Sequence, residues 1–193
     1  LDVLADIIGG SKSSIMYQNF VKPQKALQAQ ASHPAQELAG QFQLTVLAFP
    51  GKGLPEMETM LRAALDEFEK NGVTEDQLKR YKATHETSVI NRLASVSGKA
   101  AQLASYNTFT GNANYIKEDL ERYNKVTKED VIRVYNQYIK GKHAVVLSVY
   151  PKGKPELVAK ADNFTPAKPE RGASQTEGLV YKKASDNFDR SKK

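Results

Sequence analysis

The sequence predicts an α+β domain, a two-layer arrangement with helices packed on one face of a mainly antiparallel sheet. Three observations carry that reading. Two segments of period-two alternation follow one another at residues 27–31 and 41–49. Helix-period apolar stripes with capping signals then occupy most of residues 55–138. Last comes Ala144-Val145-Val146-Leu147-Ser148-Val149 within residues 143–150, a nearly continuous apolar run expected to be a strand covered on both sides or a central strand.

Each element has a local cause. Leu1, Val3, Leu4, Ile7 and Ile8 are helix-spaced from the first residue with no cap before them, so the chain is expected to be a fragment of something longer. Gly9-Gly10-Ser11 ends that helix, and Ser11 or Ser13 is expected to cap a second one through Ile15, Met16 and Phe20 to Pro23. Leu27 to Ala31 alternates small and polar residues; Phe42, Leu44, Val46 and Ala48 share one face of the next strand. The two are expected to pair antiparallel.

Pro55 opens a helix whose Met57, Met60, Leu61, Ala64, Leu65 and Phe68 form one stripe, ended by Asn71-Gly72. Thr74 and Gln77 make a capping box, with Val73 stapled to Leu78, and start a long polar helix to about Leu93. Ser97-Gly98 is expected to interrupt it, Ala101 to Tyr106 to resume, and Tyr115 to Tyr123 to form a short helix after the loop at Thr110-Gly111-Asn112. Thr127 with Asp130 repeats the capping device, and Val131, Val134, Tyr135 and Tyr138 fall on one side of the helix that follows.

Composition narrows the function. The 193 residues are 40% apolar and 26% charged, the balance of a soluble globular protein. No apolar run approaches the roughly 18 to 20 residues of a membrane span. There is no Cys, which removes disulfides, thiolate metal sites and Cys nucleophiles together. The net charge is +6, but residues 151–193 hold ten Lys/Arg against six Asp/Glu, leaving 18 against 16 for residues 1–150. The excess sits in a Pro-, Lys- and Ser-rich tail, so nucleic acid is not the expected partner. Residues 1–150 are read as the domain and 151–193 as a linker toward a following domain.

A search for catalytic chemistry finds none. Gly9-Gly10-Ser11-Lys12-Ser13 lacks the spacing of a phosphate-binding loop and follows a helix, not a strand. His85-Glu86 is the one His-Glu pair; Val89 stands where H-E-x-x-H needs its second His, and Ser88 where the inverted motif needs Glu. His33 and His143 have no partner by spacing. Tyr106, Tyr115, Tyr123, Tyr135 and Tyr138 read as core-edge residues with polar tips, and Glu75 with Lys79 as an i,i+4 pair on a solvated face. No catalytic or metal-binding residue is expected, and no substrate-binding residue is assigned.

One resemblance spans almost the whole chain. Leu1-Asp2-Val3-Leu4 through Ile7-Ile8-Gly9-Gly10, with Ser13-Ser14 and Met16-Tyr17-Gln18, resembles a run found in the pitrilysin/insulinase family of zinc metallopeptidases. The likeness continues through Gly72-Val73-Thr74-Glu75-Asp76-Gln77-Leu78 and is densest at Ala104-Ser105-Tyr106-Asn107-Thr108-Phe109-Thr110-Gly111, with Tyr115 and Asp119 to Tyr123 beyond. It is to the non-catalytic second domain in the first half of long bacterial tandem members. The resemblance implies an upstream partner domain that carries H-x-x-E-H and zinc, a downstream second half, a peptide substrate held in a chamber between domains, and a periplasmic parent. It also implies an alternative, a catalytically inactive homologue serving assembly.

The family's substrate-contacting Arg and Tyr positions fall here on Val21 and Gln28, so both donors are missing. A sheet lacking its first strand is further expected to leave an open edge and to favour self-association of the isolated fragment.

Overall fold

The computed structural model describes residues 1–160; the sequence-predicted tail beyond Lys160 lies outside the described residues. These residues are mostly helical with one small sheet. A short helix α1 (Asp2–Ala5) runs on as a π-helical turn (Asp6–Gly10), and a second π-helical turn (Tyr17–Val21) precedes strands β1 (Ala26–Ser32) and β2 (Gln43–Ala48). Five helices follow: α2 (Leu54–Asn71), α3 (Glu75–Leu93), α4 (Val96–Thr110), α5 (Ile116–Asn124) and α6 (Lys128–Tyr138).

β1 and β2 pair antiparallel, with Ala29 opposite Val46, Ala31 opposite Leu44 and a bulge between Ala26 and Gln28. Ala26, Ala29 and Ala31 are buried while Gln28 and Gln30 are exposed, the alternation expected of a sheet with one wet face. Small residues on the inner face let the N-terminal helix approach closely. A Cβ on Gly9 would lie 2.7 Å from the Gln30 carbonyl carbon and 2.9 Å from Ala31 Cβ, so only glycine fits there. Gly10 serves a second contact, since a Cβ on it would meet Asp6 Oδ1 at 2.6 Å. Gly9 is thus the point where helix meets strand.

The core gathers around Leu4, Ile8, Met16, Phe20 and Phe68, all fully buried. From α2 it takes Met57, Ala64 and Phe68, and from α6 Val131 and Tyr135. The Phe68 and Tyr135 rings are tilted at 56° with centroids 4.8 Å apart, an arrangement that suits the ring quadrupoles. Both capping boxes form, Thr74 with Gln77 and Thr127 with Asp130, each satisfying two otherwise orphaned backbone groups.

Several expectations are corrected. The cap of the second N-terminal helix is Ser14, buried, whose Oγ accepts from Tyr17 N at 3.3 Å; Ser11 and Ser13 bond to each other instead. The break between α3 and α4 falls at Ala94–Ser95. Gly98 lies inside the first turn of α4, donating its N–H to Ser95 Oγ at 3.0 Å, and a Cβ on it would reach 3.0 Å from the Arg92 carbonyl carbon. Glycine marks tight packing of the helix junction here, not the junction itself. On α6, Tyr138 is 54% exposed and Ile132 and Ile139 join the core in its place. Glu75 turns away from Lys79 to pair with Lys128 at 3.0 Å, clamping α3 to α6.

The largest departure is at residues 143–150. They form no strand and pair with none among the described residues, and Val145, Leu147 and Val149 are 98%, 84% and 80% exposed. Apolar, β-branched composition sets a strand's conformation; its burial needs a partner distant in sequence. The observed sheet therefore has two strands.

Candidate functional site

Of the residues singled out in sequence, His33, His85 and Tyr123 are linked in one polar cluster, and its hub is a residue the pattern did not mark. Asp2 opens α1, next to the apolar positions that bury the helix. Its Oδ1 is 2.6 Å from His33 Nδ1 at the end of β1, and its Oδ2 accepts from the Tyr123 hydroxyl of α5 at 2.7 Å. His85 of α3 packs against the Tyr123 ring at a tilt of 30°, centroids 3.9 Å apart, and stacks 5.9 Å from the Tyr81 ring. The cluster joins α1, β1, α3 and α5 at one point.

Electrostatics fix its protonation. Burial pushes the Asp2 carboxyl up, but hydrogen bonds from Tyr123 and His33 together outweigh it and hold the group below its ordinary 3.8. Asp2 is therefore ionised and His33 Nδ1–H is the donor. Burial pushes the Tyr123 phenol up, and its bond to Asp2 adds to this, so it stays a donor. On the far side of His33, a Cβ on Gly40 would stand 3.1 Å from Nε2, so the ring also braces the β1–β2 connection. His85 Nε2 is buried with no hydrogen-bond partner among the described residues.

A second half-buried carboxyl sits nearby in sequence. Asp6 is pushed up by burial, against the opposing charge of Arg80, whose guanidinium also donates to Ser13 Oγ. Two further tyrosine hydroxyls act as Tyr123 does: Tyr106 donates to Asp119 at 3.1 Å and Tyr135 to Glu69 at 2.8 Å. Each phenol ties one helix to another element or turn through a carboxylate.

What this arrangement can do chemically is limited by its donors. Among the described residues no three His, Cys, Asp or Glu side chains converge to hold a metal ion, so these residues do not fit a catalytic zinc. No hydroxyl nucleophile sits on His33, whose two ring nitrogens face Asp2 and the Gly40 backbone. A cleft of about 380 Å³ beside Asp2 and Tyr123 is lined by Arg122, Asp130 and Arg133, but Arg122 is paired with Asp119 and Arg133 with Asp130. His143 lies on the exposed extended segment. Val21 packs against the core and Gln28 donates to Gln30 at 2.8 Å, so neither supplies the guanidinium or phenol of the family pattern.

Asp2 and His33 lie 31 residues apart, and Asp2 and Tyr123 lie 121 apart. Nothing in spacing announces such contacts. The one signal is an acidic residue beside an otherwise apolar helix face.

Residues 1–84 match the family model described as the peptidase M16 inactive domain. Solved structures share the fold. A protease from Helicobacter pylori aligns at 23% identity with a TM-score of 0.62, covering 72% of this chain and 33% of that one. The peptidase M16 inactive domain from Pseudomonas fluorescens aligns at 16% identity and TM-score 0.60, covering 72% and 32%. The inactive peptidase domain of a zinc protease candidate from Bordetella parapertussis aligns at 18% identity and TM-score 0.60, covering 68% and 72%. The aligned part of this chain thus spans about a third of the first two. No curated protein matches it significantly in sequence. No helix among the described residues is long and apolar enough to cross a membrane.

Proposed function

We propose that this chain serves as a non-catalytic, chamber-forming domain of a zinc-dependent endopeptidase, the second domain in the first half of a long bacterial tandem protein. Residues 1–150 form the domain, a two-layer α/β sandwich when its sheet is complete, and residues 151–193 lead toward a following domain. One observation carries the reading. It is the match of residues 1–84 to the family model described as the peptidase M16 inactive domain. Zinc and its activated water belong to the upstream domain of the parent, where a carboxylate acts as general base on a peptide carbonyl. This domain contributes walls and docking surfaces, and no residue of it touches the reacting atoms.

The parent gene and its product test this. Immediately upstream of Leu1 the reading expects about one domain's length of sequence containing H-x-x-E-H. It also expects deletion of residues 1–150 from the parent to abolish peptide cleavage while the upstream domain still binds zinc. An upstream domain without that motif, or full cleavage by the deleted protein, would overturn it.

A further inference from the structure

The turn between α2 and α3 carries a chemically reactive pair. Asn71 is the last residue of α2 and is exposed, and Gly72 follows it as the C-cap with φ +66° and ψ −147°. That positive φ calls for glycine, and packing does not: a Cβ on Gly72 would meet Ile132 Cδ1 no closer than 4.0 Å. The geometry that ends the helix thus creates the Asn-Gly pair, and no other asparagine of the sequence precedes a glycine. Without a side chain, Gly72 leaves its own nitrogen unshielded, and an unshielded nitrogen can attack the side chain of the asparagine before it.

Two features hold that reaction back in the folded chain. The Gly72 N–H donates to the Phe68 carbonyl at 2.8 Å, so the nitrogen is not free to lose its proton and attack. Helical ψ at Asn71 also keeps the nitrogen away from the side-chain carbonyl carbon. Both belong to a last helical turn, the part of a helix that opens most readily. The turn is steadied from its other side by the Thr74–Gln77 capping box, in which Thr74 N donates to Gln77 Oε1 at 2.9 Å.

We propose that Asn71 is a site of spontaneous deamidation, gated by opening of the α2 C-cap, and that the modification loosens the α2–α3 turn. The Gly72 nitrogen gives up its proton to solvent and bonds to Asn71 Cγ. The side-chain nitrogen takes a proton and leaves as ammonia, closing a succinimide. Water opens that ring at either carbonyl to aspartate or isoaspartate, so the sum is amide plus water to carboxylate plus ammonium. The new carboxylate stands at the negative end of the α2 dipole and at i,i+4 from Glu67, both unfavourable. Isoaspartate also inserts a methylene into the main chain two residues before Val73, which packs against the core. The inference does not rest on the proposed protease role.

The test ages the 193-residue chain at mildly alkaline pH. It follows the amide-to-acid mass change in the peptide of residues 63–80, released by cleavage after Arg62 and Arg80. Asn71 is expected to convert first among the asparagines, and at least about tenfold faster in urea than in the folded chain. Thr74→Ala should speed conversion in the folded chain about fivefold and raise hydrogen exchange of the Gly72 amide. Thr127→Ala, which removes the equivalent cap of α6, should change neither. The aged chain should melt at a lower temperature, and Asn71→Ser should abolish both the mass change at this position and the drop in melting. Faster conversion of another asparagine, no conversion of Asn71 in the folded chain, or equal rates in urea and in buffer would overturn the proposal. So would Thr74→Ala converting no faster than Thr127→Ala, or a converted chain that melts as the fresh one does.

Discussion

At the scale of single residues, two glycines with different reasons for being glycine make the packing argument quantitative. Gly9 has the β1 backbone within contact of any added Cβ, whereas Gly51 has nothing within 4 Å and only a φ of +83° to protect. Gly9→Ala is expected to cost about 3 kcal/mol by overpacking, and Gly51→Ala about 1 kcal/mol by backbone strain, both read from urea midpoints. Equal costs would mean that the helix–strand approach at Gly9 is not a tight contact. Asp2 makes a second claim at this scale. In a double-mutant cycle, Asp2→Asn and Tyr123→Phe should couple by about 1 kcal/mol; additive effects would remove Asp2 as the hub.

The same residue fixes the sign of an acid effect. Because the folded state holds Asp2 below 3.8, its contribution is complete above that value and is lost as the pH falls further below it. Asp6, raised by burial, works in the opposite sense and favours the protonated form. Asp2→Asn should therefore flatten the loss of stability below about pH 4, seen in denaturation curves at stepped pH; an unchanged profile would contradict the assignment.

Among the elements, helices α1, α2, α5 and α6 are joined by phenol-to-carboxylate bonds as well as apolar contact. Burial pushes the phenols of Tyr81, Tyr123 and Tyr135 up, and that of Tyr106 to about 12, with hydrogen bonds to Asp2, Glu69 and Asp119 adding to the last three. A raised folded value means stability is complete below the ordinary 10.0 and is lost as the pH rises beyond it. Phenolate absorbance should then show four of the nine tyrosines ionising only as the chain unfolds. Titration of all nine before any loss of helicity would contradict these contacts.

Elements also differ in how far the sequence announces them. The two capping boxes were legible because their partners lie three residues apart, and the α2 stripe because helical geometry repeats within one turn. Gly98 misled because a glycine breaks a helix and a glycine admits close packing with the same letter. Residues 143–150 misled for a different reason: β-propensity is local, whereas the ladder that would bury the strand is not. The Asp2 cluster was hidden since α1, β1, α3 and α5 meet only after folding.

Seen as a whole molecule, the described residues concentrate burial in α1, the π-helical turns, β1, α2 and α6, while α4 has no buried residue and exposes Val96, Leu103 and Phe109. Bare apolar surface of this kind on α4 is what the proposed role as one domain of a longer protein would use for docking. The aligned part of this chain spans about a third of two solved chains that share its fold, so the fold recurs within longer polypeptides. The central claim is that this chain contributes architecture and no metal chemistry. Its most direct test is zinc stoichiometry and peptide hydrolysis measured together on the purified 193-residue chain supplied with zinc. The account predicts no equimolar zinc and no cleavage; one tightly held zinc per chain with peptide turnover would contradict it.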